Sequence, residues 1–154
     1  MSLSLAQLLS ITATDKKMFK GDYVIDTLKQ SKGEDEGGEY LSFSAIVVGG
    51  EQPRRPTIHM YAEKVDATAS VKVGCTCAYF KYRLSNSLYT NGATDSKVER
   101  GDIPDRFRSD QKVGLCPHLL KLAETVLYSN NTEAKRLREQ SRDITISDRL
   151  KRLT

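Results

Sequence analysis

The chain has 154 residues, 38% of them hydrophobic and 29% charged, with a net charge of +4. That is the size and composition of one soluble domain with arms, and it holds no apolar run of the roughly 20 residues a membrane span needs. Three cysteines cannot all pair within one chain, and Cys-x-Cys is a poor disulfide, so a reducing compartment fits best. The opening MSLSLAQLLSITATD lacks the pattern of a secretory leader.

Ser4-Leu5-Ala6-Gln7 reads as a capping box, followed by an apolar stripe of Leu5, Leu8 and Leu9. That stripe either packs on its own domain or serves as a docking arm. A second helix is predicted from Asp15 to Gln30 on Phe19, Tyr23, Val24 and Leu28, weakened by Gly21. The acidic, glycine-rich residues 31–38 are predicted to be a loop.

Three strands are predicted next. Residues 40–48 alternate with Leu41, Phe43, Ala45 and Val47 on one face. Residues 57–62 place Ile58 and Met60 opposite His59 and Tyr61, and residues 69–75 align Val71, Val73 and Cys75. Pro53 and Pro56 suit a turn between the first two, so a small antiparallel sheet is expected. His59 falls on the polar face and reads as a surface histidine rather than a ligand. Residues 79–89 could form a short helix. Residues 90–114 read as a long polar loop with five basic and five acidic side chains, a binding or lid-like segment. From Cys116 to about Tyr128, Leu119, Leu122, Ala123, Val126 and Leu127 recur at helical spacing, the clearest helix in the chain.

The chemistry lies in the cysteines. Cys75 and Cys77 form a Cys-x-Cys pair at a strand end, and Cys116 and His118 form a Cys-x-His pair at a helix start, 38 residues on. Two tight pairs of soft or borderline donors suit one tetrahedral zinc ion stapling sheet to helix. Pro117 fits the first helical turn, and Cys116 the N-cap, where the helix dipole favours a thiolate. The competing readings are weaker. As free thiols, the two pairs would coincide by chance. A Cys–His nucleophile would lack an orienting third group. A zinc deaminase would need His-x-Glu and Pro-Cys-x-x-Cys, which are absent. Four protein donors also leave zinc no open position for water, so the expectation is a structural ion and no enzymatic activity.

The Cys-x-Cys and Cys-x-His pairs, with Phe80 three residues after Cys77, resemble the SWIM zinc-binding module over roughly residues 57–128. The 38-residue separation is longer than in most of that family. The resemblance implies a ββα layout and binding of protein or DNA partners rather than catalysis. A closer likeness is to small SWIM-like proteins of tailed bacteriophages, which share a tyrosine-rich stretch after Cys-x-Cys and a long loop containing Asn-Gly and proline. That likeness implies a virion structural component, assembled in the host cytoplasm; otherwise a cytoplasmic location is expected.

The expected fold is therefore α+β, a small antiparallel sheet and helices around the zinc site with helical or extended arms at both termini. Residues 1–38 would be an N-terminal helical segment, 39–129 the zinc-binding domain and 130–154 a basic C-terminal arm. In residues 132–154, Leu137, Ile144, Ile146, Leu150 and Leu153 are spread among arginines and can gain burial only against another surface. The expected partners are other protein subunits, met by the arms and by loop 90–114. The alternative is a nucleic-acid-binding or regulatory module, disfavoured because residues 75–128 carry only 8 basic against 6 acidic side chains.

Overall fold

A computed structural model describes residues 2–13, 23–50, 52–95, 97–108 and 111–127. The expected C-terminal arm and residues 15–22 of the expected second helix lie outside the described residues. Four strands form one antiparallel sheet in the order β1 (Val24–Asp35), β2 (Gly38–Val48), β3 (Thr57–Met60) and β4 (Val71–Gly74). Helices α1 (Leu5–Thr12) and α4 (Pro117–Leu127) bring their apolar stripes into the same core, so the α+β expectation holds.

Alternation fixes which side of the sheet is dry. Leu41, Phe43, Ala45 and Val47 of β2, Ile58 and Met60 of β3, and Val71 and Val73 of β4 are all buried. Their strand neighbours remain partly exposed. Leu119, Leu122, Ala123 and Val126 of α4 join them in one core. Fully burying one such side chain contributes about 1.5–3 kcal/mol.

The first half of the chain departs from expectation in two places. Residues 24–30 are strand, not helix, and pair with β2 from Val24↔Val48 onward. The register slips between Ile25 and Thr27, a β-bulge at Asp26. The bulge puts Ile25 and Leu28, three residues apart, into the core together. Three apart is helical spacing, which is why the segment mimics a helix in sequence. The expected helical segment 1–38 thus contributes a strand to the sheet.

Residues 31–35 are likewise strand rather than loop, continuing the ladder to Asp35↔Gly38. The glycines there serve the strand pair. A Cβ on Gly33 would come within 2.5 Å of the Tyr40 ring, and Gly38 has φ +112° beyond the turn. Asp35 closes the turn by accepting the Gly37 N–H at 2.8 Å and the Tyr61 hydroxyl at 2.6 Å.

Helix α1 begins with the capping box read from the sequence: Ser4 Oγ accepts the Gln7 N–H and Gln7 Oε1 accepts the Ser4 N–H. Leu5 and Leu8 are fully buried. Flanking backbone bonds tie the segment to the sheet end, with Val71 N–H donating to Leu3 at 2.9 Å and Ala6 N–H to Ala67 at 2.8 Å. This corrects the docking-arm reading of Leu5–Leu9. Both leucines are spent in the domain's own core.

The segment after Cys77 is helical, as expected, but opens with a π-helical turn, Phe80–Leu84, before α2 (Ser85–Thr90). The described parts of the long loop are pinned to the domain. Asn86 bonds both the N–H and the C=O of Val98 at 2.8 Å, and Ile103 is buried. A 3-10 turn at Arg100–Asp102 and a single helical turn, α3 (Asp105–Arg108), give it local structure. Among the described residues no helix is long and apolar enough to cross a membrane.

Candidate metal centre

The four expected ligands converge. One donor atom from each of Cys75, Cys77, Cys116 and His118 lies within 4.8 Å of all the others. In a zinc tetrahedron with bonds of about 2.3 Å, neighbouring sulfurs are about 3.8 Å apart, so the group has the right scale. Cys77, Cys116 and His118 are buried and Cys75 is partly exposed.

Local structure explains the convergence. Cys75 follows the last residue of β4, and Cys77 precedes the helical turn that begins at Ala78. The Phe80 N–H donates to Cys77 Sγ at 3.4 Å. The second pair repeats the arrangement. Leu119 N–H donates to Cys116 Sγ at 3.4 Å and Leu120 N–H to the Cys116 carbonyl at 2.9 Å, so Cys116 is the N-cap of α4 with sulfur as capping acceptor. Both sulfurs therefore sit at the positive end of a helical turn and accept a backbone N–H, each favouring thiolate.

A clamp from α1 holds the second pair in place. Thr12 Oγ1 donates to Leu8 O at 2.6 Å and accepts the Leu115 N–H at 2.9 Å, one residue before Cys116. The Tyr23 ring meets the His118 ring edge-on, with centroids 5.2 Å apart. Neither Thr12 nor Tyr23 was marked by the sequence, since nothing in their spacing links them to residues 115–118. Phe80 did carry a signal, as the aromatic three residues after Cys77.

The electrostatics divide the three thiols. The Cys116 and Cys75 hydrogen bonds hold the Cys77 thiol far below its ordinary range, despite burial. The bond from Cys116 favours a Cys75 thiolate, but the bond to Cys77, burial and the Cys77 charge outweigh it and push Cys75 up to about 12. Burial, then the neighbouring sulfurs, raises Cys116 well above the usual thiol value. Three thiolates this close repel one another and ionise together only around a cation. His118 adds a second sign of fit: its Nδ1 is buried without a hydrogen-bond partner. With one ring nitrogen of His118 within 4.8 Å of the three sulfurs, the group is a donor set suited to a soft or borderline metal.

Other expectations are placed plainly. His59 lies outside the group, as read from its strand face, and stacks on Tyr40 with ring centroids 4.2 Å apart. A depression of about 770 Å³ lies at the β1–β2 turn, between Lys32, Glu34, Glu39, Tyr40, Tyr61 and Glu63, and not at the cysteines. Comparison of the chain with protein-family models, curated proteins and solved structures finds no match.

Proposed function

We propose that Cys75, Cys77, Cys116 and His118 hold one structural zinc ion, and that the protein is a non-catalytic structural component of an assembly. The observation that carries the reading is the convergence of four donors, three of them buried, from two segments 38 residues apart. Three thiolates and one imidazole favour zinc over harder ions. Four protein donors complete a tetrahedron and leave no position for an activated water, which supports a structural over a catalytic role. When bound, the ion supplies a cross-link between the end of β4 and the start of α4, and offsets the repulsion among the thiolates.

The assembly we assign is a tailed-phage particle, on the resemblance of the cysteine pattern to small SWIM-like phage proteins. Its contacts would be to other protein subunits, through residues 130–154 and the 90–114 region. Deleting residues 132–154 tests this. The truncated protein should keep its zinc and its melting temperature while losing incorporation into particles. Truncated protein that is incorporated at the wild-type level contradicts the arm.

A further inference from the structure

Three of the four donors are shielded from solvent and one is not. Cys77 is 4% exposed, Cys116 0% and His118 8%, whereas Cys75 lies partly open. The sulfurs of Cys77 and Cys116 are also covered from behind, each accepting a backbone N–H from its helical turn. A small solute arriving from water therefore meets the sulfur of Cys75 first.

Cys75 stands beside two candidate partners for a disulfide, since its side chain is hydrogen-bonded to Cys116 and to Cys77. Covalent geometry separates them. A bond from Cys75 to Cys77 would close a small ring across Thr76, too tight for the unstrained disulfide torsion of about 90°. Thr76 is also held in place. Arg55 N–H donates to Thr76 Oγ1 at 3.0 Å, and the Arg54 guanidinium donates to the Thr76 carbonyl at 3.3 Å. Arg54 is in turn paired with Val47 by backbone bonds of 2.9 and 3.0 Å, so the Cys-x-Cys turn is tied to β2.

Cys116 carries no such restriction. It comes from a separate segment, at the start of α4, and all four donor atoms lie within 4.8 Å of one another. A disulfide needs its sulfurs about 2.05 Å apart, which a modest approach of two side chains supplies.

We propose that Cys75 is the oxidation site of the centre and that hydrogen peroxide joins it to Cys116, exchanging a zinc cross-link for a disulfide between the same two segments. The proposal rests on the zinc reading, in which coordination holds all three cysteines as thiolates. In the first step the Cys75 thiolate attacks one peroxide oxygen. The O–O bond breaks, hydroxide leaves and the sulfur becomes a sulfenic acid. In the second step the Cys116 thiolate attacks that sulfur, the S–O bond breaks and a second hydroxide leaves. Two electrons pass from the sulfurs to peroxide, and two protons from solvent neutralise the hydroxides. Only Cys77 and His118 then remain as donors, too few to hold zinc. The end of β4 and the start of α4 stay joined, by a different bond.

The test takes zinc-loaded full-length protein, its zinc confirmed by native mass spectrometry, and adds hydrogen peroxide. Zinc should pass to a metal-indicator dye, and the chain should lose the mass of two hydrogen atoms relative to its reduced, zinc-free form. After alkylation, fragmentation of tryptic peptides 73–81 and 113–121 should find Cys75 linked to Cys116 and Cys77 carrying the alkyl group. Cys77→Ser should form the same bond in peroxide and Cys116→Ser should not; the wild-type map stands without the variants. By circular dichroism the oxidised protein should be folded and should melt above the reduced, zinc-free protein. A Cys75–Cys77 or Cys77–Cys116 bond, sulfinic acid without a disulfide, or an oxidised chain that melts with the reduced zinc-free form overturns the inference. So does a loaded centre that keeps its zinc in peroxide. Protein that carries no zinc before peroxide is added overturns the zinc reading, and the inference with it.

Discussion

Replacing Cys116 by serine separates two jobs done by one sulfur. Sγ caps α4 by accepting the Leu119 N–H at 3.4 Å. Serine is among the best N-cap residues, so the helix start survives the change. On the proposed zinc reading, what is lost is one of three soft donors to the ion. Structural zinc in small domains binds with about 10–16 kcal/mol, and losing roughly a third of that removes about 3–5 kcal/mol. Natural domains have only about 5–15 kcal/mol of net stability, so the loss is large. At about 2–4 °C per kcal/mol for a chain of this length, the melting temperature should fall by about 6–20 °C. Thermal unfolding followed by circular dichroism, with one equivalent of zinc and again with a chelator, reads the effect. Wild type should lose most of its advantage in the chelator, and the two curves should converge there. A Cys116→Ser protein that melts with wild type in zinc would refute the reasoning.

Leu8 is fully exposed to the core and not to solvent, so Leu8→Ala should cost about 2–5 kcal/mol in urea unfolding; a change under about 0.5 kcal/mol, typical of surface positions, would return α1 to the status of an arm. His59 is pulled below its ordinary value by burial, which the Asp35 and Asp95 carboxylates oppose. Its folded pKa is the lower one, so the unfolded state binds the proton more readily and stability is lost as pH falls below about 6.5. His59→Phe keeps a ring against Tyr40 and removes the proton site. Wild-type stability relative to this variant should therefore decline from about pH 7.5 to about pH 5.5, and a difference that stays flat across that range refutes the assignment.

The cluster of Cys75, Cys77, Cys116 and His118 was legible in the sequence because the geometry of each pair is local. One residue between two donors, at a strand end and at a helix start, already restricts where the side chains can point. The Ser4 capping box, the alternation of Leu41 to Val47 and the stripe of α4 are legible for the same reason. β1 was not. Its bulge at Asp26 breaks the two-residue period and leaves Ile25 and Leu28 at helical spacing. Pairing with β2 along nearly its whole length decides the structure, and that pairing is invisible in a local window. The acidic, glycine-rich stretch misleads in a similar way: Gly33 makes room for Tyr40, and Gly38 supplies a positive φ just past the turn. The Thr12 bond to Leu115 spans 103 residues and follows from tertiary structure alone.

Native mass spectrometry of the purified full-length protein tests the central claim most directly. The account predicts one zinc ion per chain, with Cys75, Cys77 and Cys116 bound as thiolates, so the added mass equals zinc less the displaced protons. It also predicts that the ion is absent from Cys116→Ser protein prepared in the same way. Wild-type protein that is fully folded, with reduced cysteines and no bound metal, would contradict it.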